Sequence, residues 1–136
     1  DQDPADILWP ALNIGYDHIV GELAGGVAAW TAAGGELRTT PLVGPSEVDT
    51  PVVVDVRQAA EHATGHLPGA RLVELGSLPA RFDELPAAPT TVMCAHGDRA
   101  TTAASLLERD GHAELSILVG DAVDWSTATG RVLAGR

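Results

Sequence analysis

One cysteine heads the run Cys94-Ala95-His96-Gly97-Asp98-Arg99, so that a nucleophile, a glycine and a cation fall within six residues. Those residue types suit attack by a thiolate, or the cradling of an anion. The residues before it, Thr90-Thr91-Val92-Met93, read as the end of a buried strand. Arg99 to Arg109 then places Ala100, Ala103, Ala104, Leu106 and Leu107 at helical spacing. Cys94 is therefore expected on a strand-to-helix turn. Such a turn aims backbone N–H groups at one point, and the helix N-terminus adds partial positive charge there. Gly97 lets the backbone close around that point without a side chain in the way.

The helix dipole alone contributes roughly 0.3–1 kcal/mol, less than the about 1.4 kcal/mol that one pKa unit represents. Bringing a thiol from about 8.5 to below neutrality needs about 2 kcal/mol or more, so the loop N–H groups and the Arg99 guanidinium must contribute too. A lone cysteine can also be a small buried hydrophobe. Its position at the start of a glycine-containing turn into a helix is what packing alone leaves unexplained.

Composition bounds what this loop can serve. The 136 residues, 45% of them hydrophobic, suffice for one compact domain. Nineteen acidic residues against eight basic ones, all arginine, give a formal charge of −11. No nucleic acid and no membrane is expected as a partner of so acidic a chain. Residues 1–49 carry eight acids and only Arg38, whereas residues 50–136 carry eleven acids and seven arginines. The absence of lysine excludes Schiff-base chemistry and a P-loop. A single cysteine forms no intramolecular disulfide, and no signal-like or membrane-spanning apolar run occurs, so a reducing cytoplasm is the expected setting. The five histidines are scattered and Cys94 has no partner at metal-ligand spacing, so no metal and no other cofactor is expected.

The elements that must position the loop alternate. Val52 to Val56 is a β-branched strand whose exit, Asp55-Val56-Arg57, is flanked by two charges. Gln58 to Ala63 reads as a short helix closed by Gly65, and His66-Leu67-Pro68-Gly69-Ala70 turns into a strand over Arg71 to Leu75. A helix is expected over Leu78 to Leu85, a strand over Glu114 to Val119, and a helix over Ala122 to Thr127. The pattern favours an α/β domain with a mainly parallel sheet flanked by helices, whose ligand sites lie at the carboxyl ends of strands.

Four motifs in order now carry a family resemblance: Asp55-Val56-Arg57, Gly65-His66-Leu67-Pro68-Gly69-Ala70, Cys94-Ala95-His96-Gly97-Asp98-Arg99-Ala100, and Gly120-Asp121-Ala122-Val123-Asp124-Trp125. Together they resemble a rhodanese-like domain. The resemblance implies that Cys94 accepts sulfane sulfur and cycles between thiolate and persulfide. It implies that Ala95, His96, Gly97 and Asp98 form the substrate-binding loop and that Arg99 holds a sulfonate or similar anion. Asp55, Arg57 and His66 match supporting positions, and for His66 a turn histidine bonded to backbone is the simpler reading. Cys94 to Arg99 counts six residues, the length of the family's sulfur-handling form, whereas the phosphatase form has one more. Neutral Ala95 and acidic Asp98 depart from rhodaneses that favour thiosulfate, so a persulfide or polysulfide donor, or a protein partner, is at least as well suited.

The first third of the chain repeats the last. Gly15-Tyr16-Asp17-His18-Ile19, then Gly25-Gly26-Val27-Ala28-Ala29-Trp30 and Gly34, resembles Gly111-His112-Ala113-Glu114-Leu115, then Gly120 to Trp125 and Gly130. The two tryptophans lie 95 residues apart. Residues 1–37 are therefore expected to be the closing segment of a preceding rhodanese-like repeat, or else an N-terminal extension packed on the domain. Residues 38–50, marked by Pro41, Gly44 and Pro45, are expected to be a linker, and residues 51–136 the domain itself. On this reading Arg38 to Val52 is too short for a complete opening strand and helix, Pro10 interrupts any helix near it, and Ile7, Leu8, Trp9, Leu12 and Ile14 lack a core. The resemblance extends to proteins with successive rhodanese-like repeats, sometimes behind a metallo-β-lactamase-like domain. The chain would then have upstream domains.

Two functions follow. One is a sulfurtransferase passing sulfane sulfur through Cys94 from a small sulfur-containing anion or persulfide to a thiol, cyanide or protein acceptor. The other is a non-catalytic rhodanese-like interaction or regulatory module of a larger enzyme.

Overall fold

The structure is a computed structural model that describes residues 3–13 and 18–135. These fall into two compact units divided between Thr39 and Thr40. Ile14 and the Gly15-Tyr16-Asp17 portion of the repeat lie outside the described residues.

In the first unit, helix α1 spans Pro4–Asn13. The Asp3 carboxylate accepts from the Ala5 N–H at 2.9 Å, as an N-terminal cap does. The expectation that Pro10 breaks this helix is corrected: α1 runs through it, giving up only the bond a tenth-residue N–H would make to the Asp6 carbonyl. Helix α2 spans Gly26–Ala32 between Gly25 (φ 77°) and Gly34 (φ 85°), both in the left-handed region. Ile7, Leu8, Trp9, Leu12, Ile19, Val20, Leu23, Val27 and Trp30 are all exposed.

The second unit opens with strand β1, Leu42–Val43, and continues through β2 (Val52–Asp55), α3 (Ala59–Ala63) and β3 (Arg71–Leu72). Then come β4 (Thr90–Met93), α4 (Asp98–Asp110), β5 (Leu115–Leu118) and α5 (Ala122–Thr129). The five strands form one sheet in the order β1-β5-β4-β2-β3, and every pairing is parallel. The chain is thus α/β, with β4 at the centre of the sheet.

Strand periodicity divides the core between the two faces of the sheet. Val52, Val54, Val92, Leu115 and Ile117 point to one face and pack with Ala100, Ala103, Ala104 and Leu107 of α4. Met93 and Leu118 point to the other and pack with Leu67, Ala122, Trp125 and Leu133. The alanines of α4 let its backbone approach the sheet closely, and burying a side chain such as Leu107 contributes about 1.5–3 kcal/mol. The buried hydroxyls are satisfied in series: Ser116 donates to Thr91 at 2.9 Å, Thr91 to Thr50 at 2.7 Å, and Thr50 to the Val52 carbonyl at 2.9 Å.

Three expected elements differ. Residues 38–50 are not simply a linker, because β1 pairs with β5 (Leu42 with Ile117, Val43 with Leu118) and supplies the opening strand expected to be missing. Two residues leave too little apolar pattern to signal a strand. The strand expected over Arg71 to Leu75 stops at Leu72, and the helix expected over Leu78 to Leu85 is two 3-10 turns, Leu75–Ala80 and Phe82–Glu84. Gly76 and Pro79 weaken continuous α-helical hydrogen bonding there, while Leu78 and Leu85 still bury as a helix face would.

Candidate active site

Strands β2 and β4 are neighbours, so their carboxyl ends bring two chain segments to one edge of the sheet. At the end of β2, Asp55 is fully buried and forms a pair with Arg57. The guanidinium donates to the carboxylate through Nε (2.9 and 3.0 Å) and Nη2 (2.6 Å), and through Nη2 to the Gly65 carbonyl at 3.0 Å. The hydrogen bond to Asp55 raises the Arg57 pKa against the opposing effect of burial. Asp55 and Arg57 thus tie the exit of β2 to the turn that follows α3.

Helix α3 follows at once, with Gln58 as its N-cap residue. Glu61 stands three residues further on, and its Oε2 accepts from the Gln58 N–H at 3.1 Å. The same carboxylate faces the loop. Arg99 donates through Nη1 to Oε2 at 2.7 Å and through Nη2 to Oε1 at 2.8 Å, a two-pronged pair with both side chains about one-third exposed. The Arg99 hydrogen bonds, then that from Gln58, hold the Glu61 carboxyl down at about 2, so it is ionised throughout the neutral range. The Arg99 pKa is raised, first by its hydrogen bonds to Glu61 and then by its charge interaction with Glu61 and with Cys94.

Cys94 follows the last residue of β4 and is 1% exposed. Its sulfur accepts a hydrogen bond from the Gly97 N–H at 3.0 Å. Gly97 has φ 98°, a conformation that turns the chain into the first residue of α4 and costs a side-chain-bearing residue strain. Ala95 is half-buried, while His96 and Asp98 are exposed at the mouth. Burial alone would fit a packing cysteine. A backbone donor aimed at the sulfur and a guanidinium beside it are arrangements that stabilise negative charge.

His66 lies in the turn after α3, and its Nδ1 donates to the His62 carbonyl at 3.1 Å. The two imidazoles stack with centroids 3.6 Å apart and planes 13° apart. Burial, then the neighbouring His66, lowers the His62 pKa. The turn is also bridged to Ala134 near the end of the chain.

The structure therefore brings Cys94, Gly97 and Arg99 together with Glu61, while Asp55, Arg57 and His66 lie at the exit of β2 and in the turn after α3. Sequence reasoning missed Glu61. Its place three residues after Gln58 signals a helix start, but its contact with Arg99 spans 38 residues and has no local signature. Among the described residues, no group of three or more His, Cys, Asp or Glu is arranged to hold a metal ion. No described helix is long and apolar enough to cross a membrane.

A parallel sheet carrying a cysteine loop from its central strand to a helix N-terminus places the molecule among α/β domains with a thiol site at the carboxyl edge. The chain belongs to the rhodanese-like domain family, whose model matches residues 42–128. A thiosulfate sulfurtransferase, GlpE of Pseudomonas putida (strain GB-1), is 35% identical over 79 residues, covering 54% of this chain and 68% of that protein. A rhodanese-related protein from Thermoplasma volcanium superposes with a TM-score of 0.62 at 20% identity, covering 71% of this chain and 99% of the other. The single domain sulfurtransferase RDL2 of Saccharomyces cerevisiae gives 0.60 at 20% identity, covering 71% and 98%. At such identities these two structures share the fold.

Proposed function

We propose that the chain is a sulfurtransferase that carries sulfane sulfur on Cys94. The observation that carries this reading is the Gly97 N–H directed at Sγ, with Arg99 beside it. The likeness to a thiosulfate sulfurtransferase supports it. In the first half-reaction the Cys94 thiolate attacks the outer sulfur of the donor. An Sγ–S bond forms, the donor's S–S bond breaks, and its electron pair leaves with sulfite, if the donor is thiosulfate, or with a thiolate, if it is an organic persulfide. The loop N–H groups stabilise the terminal sulfur of the Cys94 persulfide. In the second half-reaction a thiol, cyanide or protein nucleophile attacks that sulfur, and Cys94 leaves as thiolate. A reducing compartment such as the cytoplasm keeps Cys94 available for the cycle.

The test is mass spectrometry after incubation with thiosulfate or glutathione persulfide. The expected result is a gain of one sulfur atom that cyanide removes and that Cys94→Ser abolishes. No gain with either donor rejects the reading. The alternative, a non-catalytic rhodanese-like module, is favoured by the 1% exposure of Cys94 and is the outcome if the protein stays unlabelled.

We infer further that residues 1–37 close a preceding rhodanese-like repeat. Helix α2 and helix α5 each carry a tryptophan and each are followed by a left-handed glycine, Gly34 and Gly130. Trp125 is 3% exposed against the sheet, whereas Trp30 is 46% exposed. The test is to express the natural reading frame with whatever precedes residue 1. An upstream α/β module that shields Trp30 from acrylamide quenching supports the inference, and its absence rejects it.

A further inference from the structure

The cations of the site are already matched. Arg57 is paired with Asp55, and Arg99 commits both of its Nη groups to Glu61. Asp98 adds an exposed carboxylate in the first turn of α4. Three further arginines have partners away from the loop: Arg81 the Glu84 carboxylate, Arg71 the Glu84 carbonyl, and Arg131 the Trp125 ring. With Cys94 as thiolate, the set Asp55, Arg57, Glu61, Cys94, Asp98 and Arg99 has four negative and two positive members, a net charge of −2.

We propose that Glu61 determines the sulfur donor: by holding Arg99 it withdraws the loop's one side-chain cation from anion capture, so the site disfavours dianionic thiosulfate and takes sulfur from organic persulfides. This rests on the sulfurtransferase reading. The reacting end of a persulfide, R–S–S⁻, carries one negative charge where thiosulfate carries two. Attack by the Cys94 thiolate on its outer sulfur forms the Sγ–S bond and breaks the donor S–S bond. The inner sulfur leaves with the electron pair as R–S⁻, and the outer sulfur stays on Cys94 as Cys94–S–S⁻. The thiosulfate route must instead gather a dianion and release the sulfite dianion beside Glu61 and Asp98. There the Arg99 charge is offset before the donor arrives. Glu61 acts through Arg99 and the field of the site, so it is a positioning and specificity residue.

The test measures kcat/KM with thiosulfate and with cysteine persulfide, across ionic strength, for the wild type and Glu61→Gln. In the wild type the thiosulfate-to-persulfide ratio should rise with salt, because screening relieves the stronger repulsion of the dianion. Glu61→Gln should raise that ratio about threefold at low salt and flatten its salt dependence, since removing one charge roughly 6 Å away favours a dianion about tenfold and a monoanion about threefold even in water. A variant that slows both donors equally shows that Glu61 only holds the loop in shape, and overturns the proposal. Should the variant fail to fold, the wild-type ratio decides: independence from salt overturns the proposal and a rise supports it. Failure of Cys94 to take sulfur from either donor is a separate result that removes the sulfurtransferase reading itself.

Discussion

Glu61 and Arg99 lie 38 residues apart in the chain and meet through two parallel hydrogen bonds of 2.7 and 2.8 Å. The pair locks α3, which follows β2, to the N-terminus of α4, which follows β4. One carboxylate thereby caps a helix, positions the loop arginine and sets the charge near the Cys94 sulfur.

This pair should leave a mark on acid stability. The Glu61 carboxyl is depressed to about 2 in the folded chain, below its ordinary value of 4.5. Its stabilising contribution is therefore fully present above about pH 4.5 and fades as the pH falls toward 2. Urea midpoints measured between pH 5 and pH 2 should fall less steeply for Glu61→Gln than for the wild type, and parallel curves would refute this.

The Asp55–Arg57 pair should show its role through asymmetry. Removing one partner, as in Asp55→Ala, leaves a buried arginine without its counter-charge and should cost about 3–5 kcal/mol of stability in urea unfolding. Replacing both with apolar residues of similar volume should recover most of that loss. A double variant as unstable as the single one would show that the hydrogen bond to the Gly65 carbonyl matters more than the pair.

Gly97→Ala tests the turn itself. An added Cβ meets nothing within 4 Å, so its cost is the backbone conformation at φ 98° rather than a clash. About 1–2 kcal/mol of stability should be lost. Relaxation of the turn should also weaken the N–H contact to Cys94 and slow sulfur loading, read by mass spectrometry at early times. Loading at the wild-type rate would show that this donor is dispensable.

The three tryptophans differ enough to separate. Trp125 is 3% exposed, Trp30 46% and Trp9 64%. Acrylamide should quench most of the emission of Trp125→Phe and leave a protected fraction in the wild type. Trp125→Ala should destabilise the second unit by about 3–5 kcal/mol through the cavity it leaves among Leu67, Met93, Leu118, Ala122 and Leu133.

How much of this was legible beforehand follows from the range of the interactions. The apolar run at Val52 and the spacing of Ala100, Ala103, Ala104 and Leu107 identify a buried strand and a helix face, because periodicity is written in neighbouring residues. The 3-10 turns around Pro79 read as a helix in the sequence because burial of Leu78 and Leu85 obeys the same spacing, and β1 has no sequence signal because two residues carry no period. His66 was legible as a turn residue but not as a partner of the His62 ring.

The sequence by itself determined that Cys94 opens a six-residue turn from a strand into a helix, within a parallel α/β domain. Alternating apolar periods and a glycine at the turn depend on local backbone preference. Only the tertiary structure decided what surrounds the sulfur. Arg99 looked like a free anion-binding cation until the sheet order placed β2 beside β4 and brought Glu61 against it. Which charges meet depends on strand neighbours rather than chain neighbours, and a carboxylate 38 residues away leaves no trace in the spacing of the loop it controls.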